Sequence, residues 1–247
     1  RSLTVAGAFG GAGISVSAGV PVITTSTRAE IGNNASVNRL AGTANAAQGV
    51  TVAAASDFYN LGFTGAVAGG GTGVGTGVSV AVLNLTTEAM VGNGGQMDAA
   101  GDVAVTARAG ADVVGIGAAG AGGGGGAVAG GVSILDITAR TEARLGGTVV
   151  AQGNVDVIAD DANRTAMLAG ALAIGSAGIG AGVSVVNLDK TTRASVAAGA
   201  SVTALGNRGN HAVYTGADFN TRRTTARGLN VEANSAQLGF TLALAGA

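Results

Sequence analysis

The chain has no cysteine and no tryptophan, a single proline, and only 3% aromatic and 11% charged residues. Each shortage removes a class of answer. Without cysteine there are no disulfide staples and no thiolate metal sites, a usage that suits export through a bacterial envelope. Charge stands at less than half of the roughly 25% usual in globular domains. With a formal net charge of −1, nothing draws the chain electrostatically to nucleic acid or anionic lipid, and neither is expected as a partner.

The scarcity of charge leaves three uncharged runs, between Asp57 and Glu88, Asp112 and Asp136, and Arg164 and Asp189. Each is long enough to span a bilayer. Ten glycines among the 23 residues of the middle run would cost a helix roughly 10 kcal/mol of propensity. A membrane barrel carries aromatic girdles at both interfaces, and two tyrosines, Tyr59 and Tyr214, do not make them. No membrane span is expected, and no secretory leader is legible within these residues.

Glycine is abundant instead, with 46 of 247 residues, alongside 47% apolar residues. Disorder goes with low hydrophobicity and high net charge, so this composition points to packing. The mode of packing is legible in a repeat. Gly13-Ile14-Ser15-Val16 recurs as Gly77-Val78-Ser79-Val80, Gly131-Val132-Ser133-Ile134 and Gly182-Val183-Ser184-Val185. A second block reads Thr27-Arg28-Ala29-Glu30-Ile31-Gly32, then Thr87-Glu88-Ala89-Met90-Val91-Gly92, Thr141-Glu142-Ala143-Arg144-Leu145-Gly146 and Thr192-Arg193-Ala194-Ser195-Val196. A third is Gly49-Val50-Thr51-Val52-Ala53, Gly101-Asp102-Val103-Ala104-Val105, Gly153-Asn154-Val155-Asp156-Val157 and Gly228-Leu229-Asn230-Val231-Glu232.

All three blocks alternate with period two, which predicts strands with one face buried and one solvated. A unit of this kind cannot cover its apolar face alone and stacks on its neighbours. The expected fold is all-β, a parallel β-helix or β-solenoid of about four tandem units of about 52 residues. The single segment 1–247 divides approximately into 1–56, 57–112, 113–164 and 165–237, with a further unit opening at 238–247. At roughly 20 to 25 residues per coil, each unit is expected to supply two coils. Both ends fall within glycine-rich sequence, and neither reads as a polar cap. Two units are longer than the rest, by about 12 residues within 33–48 and about 22 within 207–227. Such insertions map to surface loops. The second holds the only histidine and is the candidate contact loop: Arg208, His211, Tyr214, Asp218, Phe219, Arg222, Arg223 and Arg227.

Other motifs weigh less. Gly115-Ile116-Gly117-Ala118-Ala119-Gly120 fits a dinucleotide fingerprint in letters. Its third glycine must open a helix to hold pyrophosphate, and Ala121 followed by five glycines will not form one. No Walker lysine or calcium loop is present, so no cofactor and no metal are expected. Asp156, Asp160 and Asp161 form a group able to face a cation, against which stands a solvated strand edge and turn. Glu88 and Glu142 occupy equivalent positions and stack on one face if the units do, as a sugar-cleaving carboxylate pair would require. His211 has no serine or cysteine partner legible in sequence, and no catalytic residue is assigned. Sequons at Asn34, Asn84 and Asn163 are candidate glycosylation sites.

The blocks G-V-S-V, T-x-A-x-V-G and G-D-V-x-V, joined by Gly/Ala-rich strands, resemble the repeat regions of large exported bacterial adhesins of the filamentous-haemagglutinin-like and autotransporter type. The resemblance covers nearly the whole chain. It implies a β-helical, non-enzymatic segment outside the cell or on the bacterial surface, secreted by a type V pathway and acting in adhesion or biofilm. Its partners would be neighbouring repeats, other copies, or host or matrix glycans and proteins. A head-to-tail filament or sheath subunit and a polysaccharide-binding or -cleaving module are the alternatives.

Overall fold

In a computed structural model describing residues 1–38, 44–214 and 223–247, and of Arg223 only the backbone, the chain is all β, with no helix among those residues. The strands are β1 (Ser2–Gly19), β2 (Val22–Ile31), β3 (Ser36–Val37), β4 (Val50–Val91), β5 (Gln96–Ala99), β6 (Val103–Leu145), β7 (Thr148–Ala151), β8 (Val155–Gly175), β9 (Gly178–Val196), β10 (Ser201–Ala204), β11 (His211–Tyr214), β12 (Arg223–Ala226) and β13 (Leu229–Gly246). A seven-stranded parallel sheet runs β1-β4-β6-β8-β13, with β2 on β4 and β9 on β6; a four-stranded parallel sheet runs β10-β7-β5-β3. Among the described residues only β11 and β12 pair antiparallel.

Strands find their partners one whole sequence unit away: Val50 lies against Val103, Val103 against Val155, and Ala127 against Gly178. The expectation of two coils per unit is therefore corrected, because one unit separates paired strands. The physical reason is that period-two alternation continues through the uncharged runs, so that β4 and β6, each bending at a glycine-rich tip, extend for 42 and 43 residues before Gly92 and Gly146 interrupt them. Across the first insertion the pairing offset falls. Val37 pairs with Met97 at an offset of 60 and Val50 with Val103 at 53, which leaves seven extra residues between them. Across the second insertion the offset rises from 53 at Val202–Val149 to 74 at Leu229–Val155.

Each long strand doubles back on itself. Ser17 Oγ donates to Thr4 O at 3.1 Å, and a Cβ on Gly13 would stand 2.7 Å from Ala8 O. In β6, Gly117 faces the carbonyl of Val132, and Gly123 faces that of Gly126. The tips are at Gly70–Gly71 in β4 and Gly124–Gly125 in β6. The result is two opposed legs, closed at the far end by the four-stranded sheet.

The interior is graded along this length. At the broad end, Val52, Val91, Met97, Val103, Val105, Leu145, Val149, Val155 and Val157 form one cluster drawn from all three sides. Burying each such side chain contributes about 1.5–3 kcal/mol. Leu83, Val113, Leu135, Ile137 and Met167 fill the middle. Toward the tip only alanines remain, Ala119, Ala121, Ala127, Ala129, Ala171 and Ala173.

This taper inverts one predicted face. The T-x-A-x-V block places Thr87, Ala89 and Val91 inside and Glu88 outside, and the third block places Val103 and Val105 inside, as period two predicts. In the G-V-S-V block it is Ser79 and Ser133 that are buried, at 4% and 0% exposure, while Val78, Val80, Val132 and Ile134 point outward and stay partly exposed. Opposed backbones come so close there that a valine would not fit between them. The glycine-rich stretch is thus a thin two-layered blade with small residues inside and branched aliphatics outside.

Candidate contact surface and buried ion pair

The predicted contact loop is a hairpin docked on the sheet. β11 and β12 pair from His211–Ala226 to Tyr214–Arg223. His211 Nδ1 sits 2.8 and 3.0 Å from the two oxygens of Asp156. The Tyr214 N–H donates to Glu232 Oε2 at 3.0 Å, and Asn230 Nδ2 donates to the same oxygen at 3.3 Å. Asn234 Nδ2 donates to Glu232 Oε1. Arg208 Nε donates to Ala100 O at 2.8 Å, and Arg227 Nε to Asn210 Oδ1 at 2.6 Å. His211, Tyr214 and Arg208 anchor the insertion to the rest of the chain, while the exposed Arg227 closes a contact within it. Asp218, Phe219, Arg222 and the Arg223 side chain lie outside the described residues.

Beside the hairpin runs an open trough of about 780 Å³, lined by Asp57, Arg108, Asp160, Asn234 and Tyr214 among others. Its polar residues come from equivalent positions on adjacent strands: Arg108 pairs in register with Asp160, and Asp160 with Asn234. Arg108 Nε is 3.4 Å from Asp160 Oδ2, and Asn234 Nδ2 donates to Asp160 Oδ1 at 2.8 Å. A guanidinium, carboxylates, a carboxamide and a tyrosine along one trough can hydrogen-bond a hydroxyl-rich chain.

The three aspartates expected as a possible cation group do not converge, which corrects both readings of them. Alternation sends Asp156 to His211 and Asp160 to Arg108 on the outside, while Asp161 points inward at 3% exposure. There Asp161 Oδ1 meets Lys190 Nζ at 2.8 Å and Oδ2 accepts from Thr141 Oγ1 at 2.9 Å. The Asn163 amide, oriented to donate, reaches Oδ1 at 3.2 Å. Lys190 also donates to the carbonyls of Asp161 and Ala236 at 3.2 and 3.0 Å. This pair ties one leg to the other across the interior. Sequence reading missed it, although one signal was available: Lys190 is the only lysine in the chain.

Glu88 and Glu142 do stand in register, on the outward side of their strands with Glu142 itself buried at 6% exposure, in a row Arg28–Glu88–Glu142–Arg193. One guanidinium engages both: Arg140 is 3.6 Å from Glu88 and ion-paired with Glu142. Arg140's pKa is raised above the ordinary arginine value, chiefly by its hydrogen bond to Glu142. Arg28 reaches Glu30 at 3.1 Å and Glu88 at 4.0 Å. The arrangement is an ion-pair ladder along stacked strands.

Of the sequons, Asn34 lies in an exposed turn with φ 58°, Asn84 is exposed, and Asn163 is buried at 3%. Gly115 and Gly117 of the apparent fingerprint are inward-facing strand residues, the former packed against Met167. No helix among the described residues is long and apolar enough to cross a membrane, and none of their His, Asp and Glu side chains cluster in threes to hold a metal. Comparison with family models, curated proteins and solved structures finds no match to this chain.

Proposed function

We propose that the chain is a β-solenoid segment of a large bacterial surface or secreted protein, working outside the cell in adhesion or biofilm, and that it serves as a lateral contact surface more than as a stalk. The observation that carries this reading is the whole-unit pairing offset. Strands stack about 4.8 Å apart, so some 52 residues add only about 5 Å along the stacking axis. A leg of about 20 residues spans roughly 65 Å at 3.3 Å per residue. Such a chain makes breadth far more economically than reach.

The test is adhesion itself. Beads coated with the chain should hold to epithelial cells or extracellular matrix better than albumin-coated beads, and equal retention would sink the reading. The trough beside Tyr214 supports a second reading, recognition of polysaccharide by hydrogen bonds along stacked positions. A glycan array probed with and without residues 207–227 tests it, and signals unchanged by the deletion count against it.

A further inference from the structure

The outer faces of the blade carry its largest unexplained feature. On the first leg, Leu3, Phe63, Ile116, Leu168 and Leu242 stand in one in-register column across five strands. Phe240 is 54% exposed, Leu3 75% and Val67 49%. Residues 62–69, 115–122, 167–174 and 241–246 contain no charge. Among the described residues no further layer covers this face. Soluble proteins seldom leave more than a few hundred Å² of contiguous apolar surface bare.

We propose that this face binds a second copy of the chain, blade against blade. Three observations select that occupant. Parallel in-register strands set the aliphatic columns about 6.6 Å apart and their rows about 4.8 Å apart, and another copy presents the same pitch. Columns of like residues on facing sheets are the arrangement that interdigitates into a dry interface. The area also suffices: positions 61 to 69 on five strands give a flat footprint of about 600 Å², with accessible area larger still, against about 800 Å² per partner in a standard interface. A lipid surface fits worse. It is gripped by aromatic belts and cationic rims, whereas this chain has no tryptophan, and its one lysine is buried against Asp161.

The inference stands on the blade's geometry, so it survives if adhesion to foreign surfaces fails, and the experiment reads self-association alone. Sedimentation equilibrium of the 247-residue chain should show a dimer. Ile116→Lys with Leu168→Lys should raise its dissociation constant about ten-fold or more. The absence of cysteine allows a check that does not depend on that variant folding: Ala118→Cys on this face should cross-link between copies with a short bis-maleimide, and Thr148→Cys, exposed on the four-stranded sheet away from the blade, should not. A wild-type chain monomeric at ~100 µM, association unchanged in the lysine variant, equal cross-linking at both cysteines, or fibres that persist in the variant would each overturn the proposal. So would flotation of the wild type, but not the variant, with neutral phosphatidylcholine vesicles.

Discussion

The broad end and the blade are made by the same strands, yet they pack by opposite rules. At the broad end three sides stand far enough apart for Val103, Leu145 and Met97 to meet, and charge lies outside in the Arg28–Glu88–Glu142–Arg193 row. In the blade two sides stand so close that glycine, serine and alanine fill the gap, and the branched residues face outward. The difference teaches that layer separation decides which of two alternating faces is the inside. Where the gap is wide, apolar burial drives large residues in; where it is narrow, steric exclusion keeps them out.

The joint between the two regions should be the most sensitive point. Asp161→Ala or Lys190→Ala strands a buried charge and should cost about 3–5 kcal/mol by denaturant unfolding. The double variant Asp161→Leu with Lys190→Met should recover most of that loss. If both single variants unfold like wild type, the two legs are not tied there.

Next comes the broad end. Leu145→Ala, fully buried, should lose about 2–5 kcal/mol through cavity formation. A smaller loss would mean that the four-stranded sheet collapses to fill the space and that the end is less rigid than its packing implies.

The blade should respond to added atoms. Gly117→Ala places a methyl against the Val132 carbonyl and should destabilise by about 1–3 kcal/mol. Gly120→Ala, three residues on and facing outward with nothing within 4 Å, should change stability by at most about 0.5 kcal/mol. Equal thermal shifts for these two alanines would contradict the claim that inward glycines hold the layers together.

Much of this was legible before folding. The alternation in Val103-Ala104-Val105 and Thr87-Glu88-Ala89 announced strands and their buried faces. The recurrence of G-V-S-V announced that like residues would stack, as Ser79, Ser133 and Ser184 do. The insertion at 207–227 was legible as a surface element, but its use of His211 and Arg208 as anchors was not, since Asp156 and Ala100 become neighbours only in the fold. The Asp161–Lys190 pair was hidden for the same reason: 29 residues separate the two, and only a leg that doubles back brings them to 2.8 Å.

By itself the sequence determined strands of period two, a unit of about 52 residues and parallel pairing between like blocks, because alternation and recurrence are properties of neighbouring residues. Tertiary structure decided that a whole unit separates paired strands, that Val132 and Ile134 lie outside while Ser133 lies inside, and that the lone lysine meets an aspartate in the interior. Those outcomes depend on the distance between opposed backbones. That distance is set by every residue along both legs together, and no single block carries it.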